Sequence, residues 1–98
     1  MTPEGEVKDD IIKGLKAHGI PYFMPVQLGF GKRGVDFYCT LPPSGRALLI
    51  EAKRADGRGK TTKIQKNCLA DNEKAGGVSV VAQCWYDVEL AIRRERLP

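Results

Sequence analysis

The sequence has no apolar run that approaches the ~20 residues a membrane-spanning helix requires. Its opening residues, Met1-Thr2-Pro3-Glu4-Gly5-Glu6, hold no basic stretch followed by an apolar one. A secretory leader is therefore not expected, and the cytoplasm is the expected address. Cysteine is scarce: Cys39, Cys68 and Cys84 are odd in number and widely spaced, which argues against a disulfide framework. No C-x-x-C pair or Cys/His cluster offers the spacing of a zinc site. Cys39 and Cys84 sit in apolar, strand-like runs and Cys68 in a helical one, so three buried, reduced thiols are expected. Repeats, low-complexity segments and linkers are lacking too, and the 98 residues read as one domain, 1–98. A chain of this length buries roughly two-thirds of its unfolded surface, enough for a modest core without covalent staples.

What is present in quantity is charge. Sixteen Lys and Arg against twelve Asp and Glu give a net charge of +4, a balance compatible with a nucleic-acid partner. The distribution is more informative than the sum. Lys32 and Arg33 lie close before Asp36, while Arg54, Arg58, Lys60 and Lys63 follow Glu51. Arg93, Arg94 and Arg96 add a third basic group.

Periodicity predicts the elements. From Pro3 to about His18, Val7, Ile11 and Leu15 recur every four residues, a helical stripe that faces a core. Thr2 is placed to cap this helix, Gly19 to end it, and His18 reads as a helix-end residue near the negative end of the dipole. On the helical wheel Glu4 shares the stripe's face, whereas Glu6 and Asp10 point away. Tyr22–Leu28 reads as an extended segment, with Pro25 marking an edge or irregular strand. Gly29, Gly31 and Gly34 then make a flexible turn.

Two strands, Val35–Leu41 and Arg46–Ala52, flank a Pro42–Gly45 turn and form a natural antiparallel hairpin. The Leu48-Leu49-Ile50 run implies that the second strand is buried on both faces. After a polar, basic loop over Lys53–Lys60 comes a helix from Thr62 to Ala75, with Thr62 and Gln65 in capping-box spacing and Gly76-Gly77 as its stop. Val78–Cys84 reads as a further strand, with Trp85 and Tyr86 packed at its end, and Val88, Ala91 and Ile92 mark a last short helix. A strand, crossover helix and strand imply a parallel pair. The expected fold is α/β, a mixed sheet flanked by helices in the order αβββαβα.

Antiparallel pairing puts Asp36 and Glu51 together at one end of the hairpin, and the strand period of two puts Lys53 on the face of Glu51. Glu4 reaches toward them from the inward face of the first helix. Carboxylates forced together repel unless a cation joins them. A hard divalent ion, Mg²⁺ or Mn²⁺, suits oxygen ligands, and the Ala52 carbonyl offers one more oxygen. Lys53 would steady a charged transition state or orient a water. Acids amid Arg and Lys make sense where a metal cancels the acids and a basic rim holds phosphates, with Lys32, Arg33, Arg54, Arg58, Lys60 and Lys63 as that rim. Trp85 and Tyr86 have an alternative use in stacking bases.

Several segments together resemble the VRR-NUC branch of the PD-(D/E)XK, restriction-endonuclease-like nucleases. They are Glu4-x-x-Val7, Gly31-Lys32-Arg33-Gly34-Val35-Asp36-Phe37 and Ile50-Glu51-Ala52-Lys53. Gln65, Gly76-Gly77 before Val78, and Asp87-Val88-Glu89 complete the set, which spans nearly the whole sequence in order. The resemblance implies a restriction-endonuclease-like core in which Asp36, Glu51, the Ala52 carbonyl and Glu4 hold the metal. It further implies that Lys53 is the catalytic lysine and that Gln65 helps to organise the site. Helical phase and the E-x-x-V spacing favour Glu4 over Glu6 as the helix acid. One departure is Val35, where the family commonly has proline; this affects loop rigidity more than chemistry.

The resemblance is to compact, phage-type members. It implies a homodimeric, structure-selective DNA endonuclease, with four-way (Holliday) junctions as the expected substrate and a phage or prophage as the source. Two alternatives stay open on the residues: a non-catalytic nucleic-acid-binding module, and a flap-trimming exonuclease or RNase using the same site.

Overall fold

Residues 3–25, 34–54 and 61–96 are described by the computed structural model. They form α1 (Pro3–Ala17), β1 (Tyr22–Phe23), β2 (Phe37–Leu41), β3 (Arg46–Ala52), α2 (Lys63–Lys74), β4 (Val78–Ala82) and α3 (Trp85–Arg96). The α/β class, the mixed sheet and the element order agree with the sequence reading. The strands lie in the order β1-β2-β3-β4. β2 and β3 pair antiparallel from Phe37↔Ile50 to Leu41↔Arg46, and α2 carries the chain over to β4, which pairs parallel to β3. No helix among the described residues is long and apolar enough to cross a membrane.

Strand alternation sorts the apolar side chains into two layers. Phe37, Cys39, Leu48, Ile50, Val78 and Ala82 face Val7, Ile11 and Leu15 of α1 and Val88, Ala91 and Ile92 of α3. On the other face a smaller cluster of Val35, Leu49 and Leu69 seats α2. The Leu48-Leu49-Ile50 run is thus buried on both faces, as its composition requires. Val35, standing where a proline was the family expectation, is fully buried in that second cluster.

The helix ends follow from backbone bookkeeping. Gly76, at φ +97°, takes the left-handed conformation that side chains disfavour. Its N–H donates to the Glu73 carbonyl at 3.0 Å and that of Gly77 to the Asn72 carbonyl at 2.8 Å, closing the last turn of α2. Gly19, at φ +65°, ends α1 in the same way.

The border between β4 and α3 departs from the sequence reading. β4 stops at Ala82, and Trp85 and Tyr86 open α3 instead of packing at a strand end. The Gln83 amide donates to Asp87 Oδ2 at 2.8 Å and the Trp85 amide to Asp10 Oδ2 at 2.7 Å, so these donors cap a helix instead of extending a ladder. Asp10 points away from the core, as its phase requires, and it is this orientation that brings it to α3. The Trp85 ring lies over Gly14 where any larger residue's Cβ would sit. Cys84 falls in the bend, partly exposed, and Cys68 is partly exposed as well, so Cys39 is the one thiol that is buried. At the other edge, β1 holds two residues; the remainder of the expected extended segment from Val26 onward, like the Thr2 cap, lies outside the described residues.

Candidate active site

Asp36 directly precedes Phe37 and Glu51 directly follows Ile50, the pair that ends the β2–β3 ladder, so both acids lie at that end of the hairpin. The Asp36 amide donates to Glu51 Oε1 at 3.1 Å, and the Ala52 amide donates to Asp36 Oδ2 at 2.8 Å. Each acid therefore binds the backbone of the other's segment, which locks both side chains to the end of the hairpin. Asp36 is 5% exposed and Glu51 1%. Burying carboxylates is costly unless hydrogen bonds and opposite charge compensate, and N–H groups donating to ionised oxygens are among the stronger compensations.

A second compensation comes from α1. Lys8 Nζ lies 3.4 Å from Asp36 Oδ1, with the lysine side chain 28% exposed and the aspartate side chain 3%. Lys8 is absent from the sequence-predicted set. Its signal was present but weak: four residues after Glu4, it lies only about 40° around the helix from it. What the sequence does not contain is how far α1 leans over the sheet end, and that decides which of its residues meets Asp36.

Gln65 is held from both ends. Its backbone N–H donates to Thr62 Oγ1 at 3.2 Å and its side-chain oxygen accepts from the Thr62 amide at 2.9 Å, the reciprocal capping box predicted for α2. The side-chain nitrogen donates to the Gly34 carbonyl at 3.3 Å. Gln65, only 1% exposed, thus ties the start of α2 to the backbone two residues before Asp36.

Ala52 turns its methyl into the core and is 1% exposed. Lys53 follows the last residue of β3, and its amide donates to the Ala82 carbonyl at 2.8 Å. The residue lines a groove of about 320 Å³ with Val80, Val81, Gln83, Asp87, Leu90 and Arg94. Lys53 therefore stands at the same sheet end as the acids, and the contacts described for it turn toward β4 and α3. Glu4 is partly exposed on α1, while Glu6 is exposed. Among the described residues no group of three His, Cys, Asp or Glu side chains that could hold a metal ion is found.

Of the predicted basic rim, Arg54 is partly buried, and its carbonyl accepts from Gln83 Nε2 at 3.5 Å. Lys63 is exposed in the first turn of α2. Lys32, Arg33, Arg58 and Lys60 lie outside the described residues. Behind the acids, Tyr38 packs beside Val35 and Leu49, its hydroxyl 4.0 Å from Cys68 Sγ. Burial raises the Tyr38 hydroxyl above its ordinary pKa, and the neighbouring Cys68 and the negative charge of Glu51 push it the same way.

The donor chemistry suits a small hard cation. Mg²⁺ is commonly held by one or two carboxylates, with waters and substrate oxygens filling the other positions, and Asp36 and Glu51 supply such a pair. Compared with known proteins, the chain matches no protein-family model, no curated protein and no solved structure.

Proposed function

We propose that this protein is a metal-dependent, structure-selective DNA endonuclease of the restriction-endonuclease-like kind, with Asp36 and Glu51 at its centre. The observation that carries this reading is the pair itself: two carboxylates, 5% and 1% exposed, fixed side by side by each other's backbone. A fold gains no stability from such a pairing that apolar residues of similar volume would not also provide, so a ligand-binding use is the better account.

Asp36 and Glu51 would hold Mg²⁺ or Mn²⁺, which when bound supplies Lewis-acid polarisation of a phosphodiester and a more acidic water. The chain's own contribution is placement. Gln65 fixes the Gly34–Asp36 backbone through the Gly34 carbonyl and so sets where the Asp36 carboxylate lies. Lys53, two residues after Glu51, would supply positive charge against the negative charge that develops on the phosphate oxygens. Arg54 and Lys63 would hold flanking phosphates, the task the sequence also assigns to Lys32, Arg33, Arg58 and Lys60 outside the described residues.

The substrate class rests on the VRR-NUC resemblance. A two-fold homodimer would present two sites to a branched substrate. Cytoplasmic action for a phage or prophage belongs to the same reading. In Mn²⁺, a panel of labelled four-way junction, flap, linear duplex and RNA hairpin should show incision favouring the junction, with paired cuts. Equal cutting of junction and plain duplex would contradict structure selectivity, and dominant cutting of the RNA would reassign the substrate.

A further inference from the structure

Lys8 sits where a cation is needed and is not part of the nuclease reading. Its ammonium lies 3.4 Å from Asp36 Oδ1, while Asp36 Oδ2 is held by the Ala52 amide. A divalent ion taken up by Asp36 and Glu51 must share or take over the oxygen that Lys8 faces. A dication and an ammonium a few ångströms apart repel each other, so the two are competitors for one position. The geometry makes exchange feasible: the Lys8 side chain is 28% exposed at the rim, whereas the aspartate it reaches is 3% exposed. The ammonium can therefore withdraw to water along its own flexible stem without opening the core.

We propose that Lys8 is a built-in counter-ion that stabilises the acid pair in the metal-free protein and is displaced when the divalent ion binds, so that it weakens metal affinity. The proposal rests on the metal-dependent reading of the Asp36–Glu51 site. Lys8 acts here as a positioning residue, because it touches the carboxylate and not the substrate. Linkage makes the competition reciprocal: removing Lys8 must raise metal affinity by the factor with which Lys8 and the ion exclude each other.

The test uses Mn²⁺ alone, with no nucleic acid. Calorimetric titration of Mn²⁺ into the wild type, Lys8→Met and Lys8→Arg is paired with thermal melts of each protein with and without the ion. Lys8→Met should bind Mn²⁺ at least about fivefold more tightly than wild type, the low end of such couplings. Lys8→Arg, which keeps the charge, should stay near wild type. Without metal the Lys8→Met protein should melt lower than wild type, and saturating Mn²⁺ should close that gap. If Lys8→Met folds only once Mn²⁺ is added, the substitution of one cation for the other is shown directly. Equal or weaker Mn²⁺ binding by Lys8→Met, or failure of Mn²⁺ to restore its melt, would overturn the proposal. Absence of Mn²⁺ binding in the wild type and in every variant would overturn the metal reading along with it.

Discussion

Cys39 shows what burial does to a single ionisable group here. Desolvation pushes its thiol from 9.0 up to about 12, because the thiolate loses water and gains nothing in return. The unfolded chain releases this proton near 9, whereas the folded protein keeps it until about 12. Across that window the unfolded state binds fewer protons, so stability falls as pH rises, and below it the thiol has no effect on the pH dependence. Urea midpoints on the lower part of that window should fall more steeply for wild type than for Cys39→Ala. Tyr38, whose hydroxyl is raised as well, is present in both proteins and largely cancels from the comparison. Parallel slopes would contradict the assignment. At this same scale, Asp36 and Glu51 were legible in the sequence because antiparallel pairing across a short turn fixes which residues oppose each other. Lys8 was not, since its meeting with Asp36 depends on the tilt of a helix that no local pattern encodes.

Among the elements, α2 carries the most information for its length. Thr62 and Gln65 were readable as a capping box, and Gly76-Gly77 as a stop, because both devices act within a few residues of chain. The second bond of Gln65, to the Gly34 carbonyl, spans 31 positions and was not readable. Gln65→Ala removes the return half of the box and leaves the buried Gly34 carbonyl without this donor, a loss of about 1–3 kcal/mol. Urea denaturation should report that loss, whereas an unchanged midpoint would mean that Gln65 anchors nothing. The start of α3 fails to show in the sequence for a similar reason. The carboxylate that accepts from the Trp85 amide belongs to Asp10, 75 positions earlier, so the sequence reading ran β4 on to Cys84.

For the whole molecule, the sheet brings distant pieces of chain to one end. β2 and β3 deliver the acids, α1 delivers Lys8, and α2 delivers Gln65. Lys53 leads on to the groove beside β4 and α3 that Arg94 also lines. Fold class and element order were legible because the switch between periods of 3.6 and 2 is strong over most of the chain. Lys8 stands beside Asp36, a neighbour that the strand pairing alone does not supply. The central claim is that the Asp36–Glu51 pair performs phosphodiester hydrolysis. Its most direct test incubates a labelled four-way junction with the protein in Mg²⁺, Mn²⁺ or EDTA, beside an Asp36→Asn control whose folding is verified by circular dichroism. The account predicts incision in the divalent ions alone, abolished in Asp36→Asn while junction binding persists. Binding without incision in either metal, or undiminished cutting by Asp36→Asn, would contradict it and favour a non-catalytic nucleic-acid-binding module.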